Sequence, residues 1–148
     1  MDYPVLRCTN VYGMRQDSAC KAGVVAILIV KMLTNQPSTI NGSGEQERDF
    51  VYVGDCARAN LLALEKGSGI YNIGVGVATN IKTIFTELKR ITEYPGEALY
   101  GSAKLGETFR IYLDNRRSRE GLGWEPTVSL SDGLAKTVAY FRVREILA

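Results

Sequence analysis

Ile40-Asn41-Gly42-Ser43-Gly44-Glu45-Gln46-Glu47-Arg48-Asp49-Phe50-Val51-Tyr52-Val53-Gly54-Asp55 is the stretch on which the reading of this chain turns. Two glycines free the backbone, one arginine follows, a Phe-Val-Tyr-Val run favours a strand, and Asp55 is suited to cap a helix behind it. A loop-to-strand element of this kind is a place to hold an anion. Gly42 and Gly44 permit close backbone approach, and the planar fork of Arg48 can grip a phosphate through two hydrogen bonds. The same residues also fit a hairpin with a surface arginine, and on this stretch alone both readings stay open.

Working outward, Pro4 to Cys8 reads as a short buried strand, and Gly23 to Val30 as the start of a buried helix that runs to about Leu33 before Asn35-Gln36-Pro37-Ser38 stops it. Downstream, Asp55 caps a helix over Cys56 to Lys66 with Leu61, Leu62 and Leu64 inward, and Gly67-Ser68-Gly69 ends it. Ile70 to Ile73 is the next strand. Asn80 caps a helix whose Ile81, Ile84, Phe85, Leu88 and Ile91 keep the i, i+3, i+4, i+7 spacing of one apolar face. Pro95-Gly96 breaks it, a weak strand lies near Ala98 to Tyr100, and Asp114 caps a short helix to Arg119 ahead of Gly121 and Gly123. Ser131 starts the last helix, burying Leu134, Val138 and Phe141. Strands alternating with helices predict an α/β fold, and strands this short predict a lobe rather than a full doubly wound sheet.

Composition bounds the function. With 148 residues, 45% hydrophobic and 23% charged, the chain is long enough for one soluble domain. A net charge of +2, with basic residues scattered apart from Arg116, Arg117 and Arg119, gives no warrant for nucleic-acid or membrane binding. No signal peptide precedes the first strand, which predicts a cytoplasmic location. Cys8, Cys20 and Cys56 match no metal or disulfide framework and read as idle thiols. The chain has no histidine, so acid/base chemistry falls to Tyr, Lys, Asp or Glu.

The central stretch resembles the glycine turn followed by Arg-Asp-Phe-Val-Tyr-Val-x-Asp of extended short-chain dehydrogenase/reductases that act on nucleotide sugars, the UDP-glucose 4-epimerase-like branch in particular. Further matches run in order along the chain. Leu6-Arg7-Cys8-Thr9-Asn10-Val11-Tyr12-Gly13 resembles the family's L-R-x-x-N-V-Y-G, and Ala22-Gly23-Val24-Val25 its A-G-V-V helix start. Ile70-Tyr71-Asn72-Ile73-Gly74, Gly106-Glu107 and Leu122-Gly123-Trp124-Glu125-Pro126 resemble its later signatures. Together they cover the family's C-terminal half. The resemblance therefore implies an α/β, partial Rossmann-type fold in which residues 1–148 form a single nucleotide-sugar-binding lobe, with the N-terminal NAD-binding domain absent.

The family binds NAD through a glycine-rich turn after its first strand, and neither Gly42-Ser43-Gly44 nor Gly74-Val75-Gly76 carries the third glycine. Its Tyr-x-x-x-Lys dyad finds one match in spacing, Tyr100-Gly101-Ser102-Ala103-Lys104, in a loop-like stretch where the two side chains need not share a face; it reads as coincidence. The resemblance thus implies no catalytic residue and no cofactor for this chain alone, although NAD serves the complete enzyme. What it does imply is substrate grip. Asn10 and the helix-start amides at Val24 and Val25 contact the sugar diphosphate, Arg48 grips the diphosphate, and Glu107 accepts from the ribose hydroxyls. Asn10 alone could equally be a turn residue bonded to its own backbone.

Some positions depart from the family. Asn41 stands where an aromatic residue often faces the base, Lys104 where a second phosphate-binding arginine is usual, and Phe109 before Arg110 where two arginines follow. Lys104 keeps the charge without the fork, and Arg110 is the reserve cation. The partner implied is a UDP- or dTDP-sugar. The chain reads as the nucleotide-sugar lobe of an epimerase, with a dTDP-sugar dehydratase lobe, a stand-alone binding module or an inert truncated product as alternatives. A family cut in half would also leave apolar surface open at the first strand and at the helix from Gly23. That predicts self-association, or completion by an NAD-binding half.

Overall fold

The computed structural model describes residues 3–19, 23–103 and 105–146, with side chains as far as Val143. Strands β1 (Pro4–Cys8) and β2 (Asn10–Tyr12) lead to helix α1 (Val24–Leu33), followed by β3 (Ser38–Asn41), β4 (Glu47–Arg48) and β5 (Phe50–Tyr52). Then come α2 (Val53–Lys66), β6 (Gly69–Ile73), β7 (Thr79–Asn80), α3 (Ile81–Thr92), β8 (Ala98–Gly101), β9 (Arg110–Ile111), α4 (Arg116–Leu122) and α5 (Leu130–Ile146). Small parallel pairs dominate: β1 with β6, β2 with β5, and β3 with β8. β4 lies between antiparallel β7 and parallel β9. The fold is α/β, as the alternation predicts.

β5 divides the interior. Side chains of a strand alternate between its faces, so Phe50 and Tyr52 enter one cluster and Val51 the other. On the first side, α1 contributes Val25, Leu28, Ile29 and Met32, α3 contributes Ile84, Phe85 and Leu88, and α5 contributes Leu134, Val138 and Phe141, all buried. On the second, Ala59 and Ala63 of α2 pack against Tyr71 and Ile73 of β6, with Leu122 and Trp124 closing the end. The α3 stripe forms as the spacing predicts. Its cap does too: the Asn80 side chain accepts from the Thr83 amide at 2.8 Å.

Several local expectations are corrected. β1 has the expected limits but is not buried, because only its Leu6 face packs on the interior and Val5 on the other face is 38% exposed. α2 begins at Val53, so Asp55 lies inside its first turn instead of capping it. The face α2 buries is the small-residue stripe Cys56, Ala59 and Ala63; Leu61 and Leu64 fall off that stripe and are 64% and 81% exposed. Asn115, not Asp114, holds the position before α4, although Asp114 still accepts from the Arg116 amide at 3.0 Å. The last helix is capped by Ser129 rather than Ser131: Ser129 Oγ accepts from the Asp132 amide at 3.1 Å and donates to the Asp132 carboxylate. The open apolar helix is corrected as well, since α3 and α5 already cover the apolar face of α1.

Candidate functional site

The central stretch folds as a turn and two strands, and its two aspartates tie it to distant segments. Asp49 is 1% exposed, and its carboxylate accepts from the amides of Val75 (2.8 Å), Gly76 (3.0 Å) and Leu113 (3.3 Å). A Cβ on Gly74 would lie 2.5 Å from Asp49 Oδ2, so that approach requires glycine. Asp55 accepts from the Thr127 amide and hydroxyl, the Val128 amide and Arg58, and the Asp55 carbonyl accepts from the Trp124 indole at 2.9 Å. Burial pushes the Asp55 carboxyl up, but the Arg58, Thr127 and Val128 donors outweigh it and hold the group below the usual carboxylate range. Neither anchoring role is read from the sequence. An acid pressed against a strand run, as Asp49 is against Phe50, was the available signal.

Beside this element lies a cavity of about 550 Å³, a volume suited to a small-molecule ligand. Asn10, Val24, Val25, Asn41, Arg48 and Glu107 line it. Asn10 opens β2, opposite Phe50, and is no turn residue. Val24 and Val25 are the first residues of α1, whose N-terminus has no side-chain cap and no acid in its first turn. The free amides and the positive end of that helix face an apolar floor of Leu28, Ile40 and Phe50.

Arg48 is the charged centre of the wall. Its Nη1 donates to the carbonyls of Glu47 (2.8 Å) and Phe109 (3.3 Å), and its Nη2 to Glu107 Oε1 (2.9 Å). The fork is therefore held in place by backbone on one side and by a carboxylate on the other. Arg110 is not brought to the cavity. β9 runs beside β4 with Arg110 opposite Glu47 and Ile111 opposite Arg48, so the period of two places Arg110 on the other face, where its Nε meets Glu47 Oε2 at 2.6 Å. Lys104 lies outside the described residues. Tyr100 is on strand β8 and exposed, so the Tyr-x-x-x-Lys spacing is not carried by a helix face.

The cavity also holds residues the sequence reading passes over. Gln16 donates from Nε2 to the Val11 carbonyl at 3.0 Å, and its Oε1 is buried with no partner among the described residues. Gln46 is buried and donates to the Asn41 carbonyl at 2.8 Å, bracing the turn at Gly42 and Gly44, both of which have positive φ. A glutamine in an Arg15-Gln16-Asp17 loop carries no pattern that could single it out. Tyr12 lines the same cavity, but its hydroxyl donates to the Leu130 carbonyl at 3.4 Å, and burial, helped by Tyr52, Asp55 and Asp132, raises its pKa; it is no general base. Among the described residues no group of three or more His, Cys, Asp or Glu is placed to hold a metal, and no helix is long and apolar enough to cross a membrane.

Comparison with known proteins agrees with the quoted motifs. Residues 1–74 match the NAD dependent epimerase/dehydratase family. A crystal structure of UDP-glucose 4-epimerase with UDP-glucose from Thermotoga maritima superposes with a TM-score of 0.96 at 48% identity, covering 98% of this chain and 47% of that one. The UDP-glucose 4-epimerase of Mycolicibacterium smegmatis is 41% identical over 135 residues, 90% of this chain and 43% of the relative. A dTDP-glucose 4,6-dehydratase of Actinoplanes is 31% identical over 145 residues, 96% of this chain and 44% of the relative. The chain spans about half the length of the curated relatives it matches. With half of its residues matched by the family's own pattern and its fold superposing on a solved member, the chain belongs to the NAD dependent epimerase/dehydratase family.

Proposed function

We propose that this chain is the nucleotide-sugar-binding portion of an NAD-dependent sugar epimerase, holding a UDP-sugar in the 550 Å³ cavity and carrying out no epimerisation alone. The observation that carries this reading is the convergence, on one cavity, of the uncapped α1 N-terminus, the backbone-oriented fork of Arg48 and the carboxylate of Glu107. The diphosphate lies against Arg48 and the amides of Val24 and Val25, the ribose hydroxyls donate to Glu107, and Asn10, Gln16 and Asn41 supply polar contacts at the rim.

NAD does not fit the residues present. Gly42-Ser43-Gly44 joins β3 to β4, and the first α3 amides that reach it, Ile81 and Lys82, are already taken by the Gln46 and Gly44 carbonyls. Gly74-Val75-Gly76 does follow a strand, but the amides of Val75 and Gly76 are already taken by Asp49. The oxidant of the family's chemistry is therefore assigned to residues other than these. A second reading, the equivalent lobe of a dTDP-sugar dehydratase, is favoured by the Actinoplanes relative.

Calorimetric titration with UDP-glucose tests the proposal. A charge-assisted phosphate contact contributes about 1.5 to 3 kcal/mol, so Arg48→Ala weakens binding by more than about tenfold. Equal affinity for both proteins removes Arg48 from the site. NAD(H) released on denaturing the purified chain overturns the reading that it carries no cofactor.

A further inference from the structure

The Arg48–Glu107 pair sits where a diphosphate is proposed to bind, and this juxtaposition has a consequence for selectivity. Arg48 has five N–H donors. Nη1 is committed to two carbonyls and one Nη2 proton to Glu107 Oε1, so the guanidinium meets any incoming anion with a carboxylate already 2.9 Å away. Arg48 is the sheltered member, its side chain 15% exposed, whereas Glu107 stands at the exposed rim, where water and an incoming ligand reach its carboxylate. A free phosphate or pyrophosphate must approach against that carboxylate and offers it no donor in return. A nucleoside diphosphate differs, because ribose hydroxyls donate to Glu107 while the diphosphate takes the arginine. Glu107 also has room to shift, since Gly106 beside it has φ of 75° and open space around a would-be Cβ.

We propose that Glu107 is a specificity-determining residue that keeps Arg48 closed to small anions and yields it only to ligands carrying a diphosphate and ribose hydroxyls together. This rests on the nucleotide-sugar reading above. It makes sugar-ring and phosphate recognition one event, and it favours ribose over deoxyribose nucleotides because each hydroxyl lost leaves carboxylate capacity unmet.

Inorganic pyrophosphate, UDP and 2′-deoxy-UDP are titrated calorimetrically into the chain, Glu107→Gln and Glu107→Ala, with circular dichroism confirming that each variant is folded. Wild type binds UDP in preference to both other probes. In Glu107→Gln and Glu107→Ala, pyrophosphate binding strengthens about tenfold while UDP binding weakens, and the added Arg48→Ala change abolishes the gain. Pyrophosphate binding that stays the same or weakens in folded Glu107 variants overturns the proposal, even where UDP binding is lost. If wild type ignores UDP yet the Glu107 variants gain pyrophosphate through Arg48, the withholding of Arg48 stands and the nucleotide-sugar reading falls. If no protein binds any of the three, both fall.

Discussion

The interior shared by α1, α3 and α5 and the paired strands β1 and β6 are built to different degrees of completion. In the first, apolar faces from three helices close on one another and bury Leu28, Ile84, Leu88, Leu134 and Phe141 to within 1% exposure. In the second, a parallel pair covers one face only. Leu6 and Tyr71 turn towards α2, while their neighbours Val5 and Ile70, opposite each other in register, are 38% and 39% exposed on the other side. Parallel sheets are ordinarily covered on both faces. The helical side therefore stands by itself and carries the cavity, whereas the β1–β6 side presents a surface that another chain or segment can cover.

Truncations across the two regions should separate them. Phe141→Ala in the helical interior costs about 3 to 5 kcal/mol in chemical unfolding; a loss under about 1 kcal/mol would mean that this interior is not the stabilising one. Asp55→Ala, at the junction of the regions, costs about 3 kcal/mol because the Thr127 and Val128 amides lose their acceptor. The folded pKa of Asp55 lies below its unfolded value, so its contribution is present above the ordinary carboxylate range and disappears as pH falls through the depressed value. Wild type and Asp55→Ala should accordingly converge in stability in strong acid; a gap that persists there points to packing instead.

Smaller effects belong to the open sheet. Val5→Lys with Ile70→Lys changes stability by no more than about 0.5 kcal/mol yet shifts the chain towards monomer in sedimentation equilibrium. A wild type that is already monomeric at micromolar concentration would show that this surface needs no cover. The smallest effect is chemical. The neighbouring Cys56 thiol outweighs the opposing influence of burial and brings the exposed Cys8 thiol down to about 7, while the same neighbour and burial push Cys56 up. Alkylation at Cys8 should rise through pH 7 and level off, with Cys56 lagging. Equal rates at the two sites would contradict the pairing.

Much of this was legible in the chain because local signals and burial agreed. Asn80 and the apolar spacing behind it specify α3 without tertiary help, and the Phe-Val-Tyr run specifies β5. Where they failed, tertiary contacts overrode local preference. Leu61 and Leu64 read as a buried face, but a helix lying close on a sheet buries its small residues, Ala59 and Ala63. Asp55 reads as a cap because capping aspartates are common, but the amides it accepts from, Thr127 and Val128, lie more than seventy residues away. The cavity was half visible. Asn10, Arg48 and Glu107 stand in recognisable motifs, whereas Gln16 and Asp49 owe their positions to contacts that no spacing records, and Arg110 was misjudged because its strand register is invisible in sequence.

The most direct test of the account follows backbone amide resonances of the chain as UDP-glucose is added. The predicted result is saturable shifts at Asn10, Val24, Val25 and Arg48, and none at Val5 or Ile70. Shifts confined to the β1–β6 face, or none anywhere at millimolar ligand, would contradict the placement of a nucleotide-sugar site beside Arg48.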